Sequence, residues 1–329
     1  MPMSEAPHPE PCPPPDRLAV RAWWPPVRRV LTLAFFILVA YLLVVQARSV
    51  DWAEVLASLR RHSAPGLLGA VALGVASYLL YCCFDLLGRF STGHTVPTRQ
   101  VMVVNFISYA FNLNLGSVVG AVAFRYRMYS LLGLDAQTVT GVVVMSMLTN
   151  WLGYVLLAGL AFWFVPLALP PEWQLDLPGL RALGALLCMA IVAYLLLCAR
   201  AHRRVWRVRG HEIMLPSLRL ALLQLAMSSV NWLLIAALLF LLMQQKVGFS
   251  TVLNVMLVAA IAGVVAHIPA SLGVLEGVFV VLLSAQLPKS EVLAALLAYR
   301  TIYYLVPLAL AIPAYLLLEA RSRRRERMA

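Results

Sequence analysis

Apolar residues in this 329-residue chain gather in long blocks, near 28–47, 65–88, 99–133, 137–165, 178–199, 216–243, 249–287 and 290–318. About 20 consecutive apolar residues carry a helix across the hydrocarbon of a bilayer. Six of the blocks are suited to that length and predict one crossing each. Blocks 99–133 and 249–287 are too long for one crossing, and glycine or proline interrupts each midway: Gly116 and Gly120 in the first, Pro269 and Gly273 in the second. Each predicts two short helices around a break. In residues 50–62, Trp52, Val55, Leu56 and Leu59 recur at helical spacing opposite charges, the pattern of a short helix on the membrane surface or of a plain amphipathic connector.

Charge sets the sidedness. Arg17, Arg21, Arg28 and Arg29 precede the first block, five arginines stand in 200–211 and five more follow residue 320, whereas 166–177 holds Glu172 and Asp176 without Lys or Arg. Loops rich in Lys and Arg stay cytoplasmic. If each broken block returns to the side it entered from, loop 200–211 and both termini are cytoplasmic. If each crossed once, that loop would face outward. The expected fold is therefore an all-α polytopic membrane protein with six full transmembrane helices plus two re-entrant broken-helix hairpins; two complete short crossings per broken block give the same sidedness.

At an offset of 153 residues, 65–88 maps onto 218–241, Gly120 onto Gly273, Leu134 onto Leu287 and Val139 onto Val292. The two units run in opposite directions through the bilayer, so they predict an inverted repeat, a construction that places substrate sites between broken helices near the midplane. The expected organisation is a proline-rich cytoplasmic tail at 1–27, a transmembrane domain at 28–318 with repeats near 65–165 and 218–318, and a basic cytoplasmic tail at 319–329. Residues 1–16 lack the form of a signal peptide and are expected to be disordered.

Composition narrows the function. Hydrophobic residues make up 62% and charged ones 12%, with a mean hydropathy of +0.85, which excludes a water-soluble enzyme. The net charge of +12 lies in blocks between apolar segments, which points to topology and anionic headgroups and not to nucleic acid. Five cysteines, four of them in apolar blocks, give no disulfide or zinc framework. Hydrolase, metalloprotease and nucleotide-loop signatures are missing, so no enzyme activity, cofactor or metal is expected.

Broken backbone at membrane depth must be buried in protein or line a wet cavity. Around the first break stand Asn112, Asn114, Gly116, Ser117 and Gly120, followed by Arg125 and Arg127. Amides and helix ends there suit an anion such as a lipid phosphate, with Arg125 as the preferred contact. The alternative is a small-residue packing face with the arginines as cytoplasmic anchors. Around the second break stand His267, Pro269, Ser271, Gly273 and Glu276. An ionisable group in such a run suggests function, and Arg300 and Arg125 are the candidate partners of Glu276; a static Glu276–Arg300 pair is the structural alternative. For His267 the plainer expectation is a hydrogen-bonded cap of the break. Asp85 is expected to pair with Arg89 at i+4, while Asn150 and Asn231 put amides deep in flanking helices.

The stretches 105–134 (NFISYAFNLNLGSVVGAVAFRYRMYSLLGL) and 267–307 resemble the YbhN-type inner-membrane proteins, themselves similar to the membrane domain of lysylphosphatidylglycerol synthases of the MprF type. The resemblance covers nearly all of the chain after residue 28. It implies a flippase-like domain without the synthase domain, in the bacterial inner membrane, acting on an anionic phospholipid. Where the family often has Pro-Gly-Gly at the second break, this chain has Pro269, Ala270 and Ser271. The expected function is phospholipid translocation. The alternative is a non-transporting scaffold for a phospholipid-synthesis enzyme such as cardiolipin synthase, docked through loop 200–211 and the C-terminal tail.

Overall fold

The computed structural model describes residues 62–165, 177–200, 205–208, 211–266 and 273–328, with residues 37, 41, 53, 56, 57 and 60. The expected tail and, but for residues 37 and 41, the expected crossing within 1–47, the acidic loop, and His267, Pro269 and Ser271 lie outside the described residues. Backbone contacts divide the chain into two units, Met1–Val50 and Asp51–Ala329, and every helix from Ala64 onward belongs to the second.

Helix α1 (Ala64–Cys82) starts at Ser63, whose side chain accepts from the Gly66 amide, and bends at Cys83 into α2 (Phe84–Thr92). After a loop come α3 (Thr98–Leu115), a π-helical stretch (Ser117–Ala123) and α4 (Phe124–Leu131). Then follow α5 (Ala136–Phe164), α6 (Leu177–Arg200), α7 (Leu218–Leu242) and α8 (Phe249–Ala266). The chain ends in α9 (Val274–Leu283), α10 (Lys289–Arg300), a second π-helical stretch (Thr301–Leu305) and α11 (Val306–Met328). The arginine-rich loop carries the strands found among the described residues, β1 (Val205–Val208) antiparallel to β2 (His211–Met214).

Six of the described segments are long and apolar enough to cross a bilayer: Ala64–Thr92, Ala136–Phe164, Leu177–Arg200, Leu218–Leu242, Phe249–Ala266 and Lys289–Arg321. Five coincide with expected crossings. Phe249–Ala266, the first arm of the second broken block, reaches 18 residues, a length at which one arm can cross alone and which suits the alternative of complete short crossings. Helix α6 leaves Leu186, Met189 and Val192 more than half exposed, the surface a lipid-facing helix presents.

Helices α1 and α7 pack antiparallel. A Cβ on Gly69 would meet Leu241 and one on Gly74 would meet Leu238, and Ser77 hydrogen-bonds Asn231, so positions advance on one helix as they fall on the other. The first break reverses the chain. Gly116 takes φ +86° and ψ 167°, a conformation open to glycine. Beyond it the backbone runs back along α3: Phe124 stacks on Phe111 at 4.0 Å and Arg125 reaches Asn105. At the second break the left-handed residue is Gly273, with φ +78°. Gly120, which the 153-residue offset aligns with Gly273, instead packs against the backbone of Asn112. The two breaks therefore do not match residue for residue, since one glycine turns the chain and the other lets two backbones touch.

The loop before α5 gives a pH prediction. Asp135 caps this helix, accepting from the Gln137 and Thr138 amides and from the Thr138 hydroxyl. Chiefly through Thr138, these bonds hold its carboxyl below the usual carboxylate value. Because the folded pKa is lowered, the cap's contribution is present above the ordinary value, about 3.9, and is lost as pH falls through the folded one. The difference in melting temperature between the native chain and Asp135→Ala is therefore expected to shrink on acidification from neutral pH to about pH 3; a constant difference would argue against the cap.

Candidate functional site

Two ionic centres lie near the breaks, joined by a cluster of tyrosines. The first is sealed. Arg125 on α4 donates through Nε and Nη2 to both oxygens of Asp85 on α2, at 3.0 and 3.1 Å. It donates further to the Ala121 carbonyl, to Asn105 Oδ1 and to Ser146 Oγ. Tyr129 donates its hydroxyl to Asp85 at 2.9 Å. The Arg125 and Asp85 side chains are 1% and 0% exposed. The bend between α1 and α2 belongs to this centre: Asn105 Nδ2 donates to the Tyr81 and Cys82 carbonyls at the bend.

Two expectations are corrected by this geometry. Asp85 does not pair with Arg89, which donates to Thr98 Oγ1 across the loop; the hairpin brings Arg125 to Asp85 at bidentate range. Arg125, expected to meet a lipid phosphate, directs its donors into protein, because the reversal at Gly116 folds α4 inward against α2, α3 and α5. Arg127 pairs with Glu319 on α11.

The second centre is open. Glu276, in the first turn of α9, receives Arg300 from the end of α10, Nε to Oε1 at 2.5 Å and Nη2 to Oε2 at 3.1 Å. Oε2 also accepts from the Gly273 amide at 3.0 Å, which ties the carboxylate to the break. The Arg300 guanidinium carbon lies 5.5 Å from the centre of the Tyr304 ring. The Arg300 and Glu276 side chains remain 11% and 23% exposed, where the first pair has almost none.

Between the centres the hydroxyls connect. Ser77 donates to Asn231 Oδ1 at 2.7 Å and lies 2.6 Å from the Tyr303 hydroxyl, which is 3.0 Å from that of Tyr109. Tyr109 stacks on Tyr81 at 3.6 Å, and Tyr81 lies beside Arg125. At the other end Tyr299 and Tyr304 flank Arg300 in sequence and pack edge to face. The π-helical stretch Thr301–Leu305 turns Tyr303 inward to 1% exposure; such stretches are frequent at functional positions.

Of the remaining expected residues, Asn114 donates to the Ala110 and Tyr304 carbonyls, with Oδ1 buried and unpartnered. Asn231 Nδ2 is likewise buried without a partner. Asn112 contributes backbone against Gly120. The Asn150 carbonyl accepts from Ser228 and Trp232. Asn105, Tyr109, Tyr129 and Ser146 are absent from the sequence expectation. The signal for part of the cluster was the row Ser77, Tyr81, Asp85 at i, i+4, i+8, which puts three polar groups on one face of an apolar helix. Among the described residues no group of three His, Cys, Asp or Glu side chains is placed to hold a metal ion.

The family described as the lysylphosphatidylglycerol synthase TM region matches residues 30–311. The chain is 49% identical over 302 residues to the inner membrane protein YbhN of Escherichia coli, covering 92% of this chain and 95% of that protein. It is 30% identical over 282 residues to an uncharacterized protein of Synechocystis, covering 84% and 87%. It is 23% identical over 293 residues to the phosphatidylglycerol lysyltransferase of Staphylococcus haemolyticus, covering 86% of this chain but 33% of that enzyme.

Proposed function

The chain belongs to the lysylphosphatidylglycerol synthase transmembrane family, and from that premise we propose that it is a non-catalytic phospholipid translocator of the bacterial inner membrane. The observation that carries the reading is the Glu276–Arg300 pair. It joins opposite charges at a break in apolar sequence, it is partly open, and it is seated beside tyrosines. A headgroup phosphate has the charge and geometry to replace the Glu276 carboxylate on the Arg300 fork. Glu276 retains the Gly273 amide as a partner while displaced. Exchange between the two anions binds and releases a headgroup without leaving Arg300 uncompensated, the state that is costly in a low-dielectric site.

Arg125 and Asp85 are positioning residues in this scheme, locking the first hairpin against α2, α3 and α5. Helix α9 spans 10 residues, about 15 Å at 1.5 Å per residue, half the hydrocarbon thickness. A second arm of that length returns only part of the way, which favours a re-entrant hairpin although its first arm, Phe249–Ala266, is long enough to cross, and with the arginine-rich ends cytoplasmic it favours an inverted repeat. An anionic lipid is favoured by the charge balance of the chain and by the phosphatidylglycerol in the name of the staphylococcal relative.

The test is movement of a fluorescent phosphatidylglycerol between leaflets of proteoliposomes. Glu276→Gln and Arg300→Gln, shown to be folded by gel filtration, are expected to slow it on the order of tenfold, the loss of one charged contact worth about 1.4 kcal/mol. Rates equal to those of the native chain would discard the site. The ribbon of β1 and β2 favours a second reading, a docking scaffold, because among the described residues its two strands pair only with each other. Loss of cellular function on neutralising Arg203, Arg204, Arg207 and Arg209, with Glu276 and Arg300 variants silent, would select that reading.

A further inference from the structure

Away from both ionic centres, a cavity of about 480 Å³ opens between the start of α3, the end of α4 and α11. Its walls include Val103, Leu131, Leu317 and Leu318, and two cations, Arg99 and Arg321, line it as well. Arg99 is the second residue of α3 and Arg321, within α11, closes the apolar span Lys289–Arg321, so both cations stand at the ends of apolar segments, where water meets lipid. Val103 lies one helical turn deeper than Arg99 on the same face. Helix α3 opens at Pro97 without a side-chain cap, so its first amides add positive potential at the same end. Glu319, the nearest acid in sequence to Arg321, is engaged by Arg127.

We propose that this cavity binds one anionic phospholipid from the adjoining leaflet, with its phosphate between Arg99 and Arg321 and an acyl chain along the leucines. A free anion has no use for the leucine wall, and a lipid without net charge leaves two cations unbalanced, so charge and apolarity together select the anionic amphiphile. The site takes its lipid class from the function proposed above, but its occupancy is measured without transport.

Native mass spectrometry of the full chain, released from micelles carrying either phosphatidylglycerol or phosphatidylcholine, reads that occupancy. The native chain is expected to retain phosphatidylglycerol in preference to phosphatidylcholine. Arg99→Gln with Arg321→Gln, two exposed positions whose exchange leaves the packing intact, is expected to weaken retention by roughly tenfold to thirtyfold. Lys289→Gln, an exposed cation outside both sites, is expected to leave it unchanged. Equal retention by the double variant, equal retention of both lipids, or displacement of phosphatidylglycerol by millimolar inorganic phosphate would each overturn the assignment. Slowed transport in Arg300→Gln supports the translocator independently, and native transport in that variant removes the translocator while leaving this site, read from the Arg99 and Arg321 double variant, standing.

Discussion

Asp85→Ala and Arg125→Met are each expected to destabilise the protein by about 3–5 kcal/mol, because each leaves one fully buried charge without its partner. The environment offers no relief, since Asp85 and Arg125 are both within 1% of complete burial and water does not reach either. Removing Asp85 leaves Arg125 facing Asn105, Ser146 and a carbonyl, which are neutral acceptors. Removing Arg125 leaves Asp85 with the Tyr129 hydroxyl among its hydrogen bonds. The double variant is expected to recover part of the loss, with a coupling on the order of 2 kcal/mol between the two sites. Thermal unfolding of the four proteins in detergent measures the cycle, and strict additivity would show that the two groups do not act as a unit.

Gly120→Ala is the second large effect. A Cβ at this position would lie 2.1 Å from the Asn112 Cα and amide nitrogen and 2.4 Å from the Phe111 carbonyl carbon. These are backbone atoms of the helix that the hairpin arm packs on, so no side-chain rotation relieves the overlap and the arm must move. Such overpacking costs about 3 kcal/mol, and the displaced arm carries Arg125 with it. Gly116→Ala meets no atom within 4 Å but forces a side chain onto φ +86°, at about 1–3 kcal/mol. Gly277, inside α9 with open space around it, is the control, where alanine is expected to be neutral or mildly stabilising. Yield and melting temperature should follow the order Gly277→Ala, Gly116→Ala, Gly120→Ala from best to worst. Tolerance of alanine at 120 would contradict the close approach of the two arms.

Legibility from sequence differed between the two centres for a physical reason. Glu276 and Arg300 were recognisable because each interrupts an apolar block, and their pairing needed only that α9 and α10 pack as neighbours. Asp85 was assigned to Arg89 because an i, i+4 pair is the nearest partner a straight helix provides. Both residues lie within α2, yet the hairpin supplies Asp85 with a bidentate partner from 40 residues away and Arg89 turns to Thr98. The tyrosines at 78, 81, 109 and 303 fit the amphipathic pattern of interface anchors. The structure instead buries them in contact with one another, each less than 7% exposed.

Amino-acid sequence alone determined that the solvent of this fold is a bilayer, where its helices run, and where two of them break. Those are local properties: the length of an apolar run, the charge at its ends, and a glycine or proline in its middle act over one or a few helical turns. Tertiary structure alone decided which charges meet, which are sealed and which stay open. A buried ion pair is made by packing between segments distant along the chain, here by an arm that turns back at Gly116 and presses Gly120 against α3, and no local spacing encodes where that arm comes to rest.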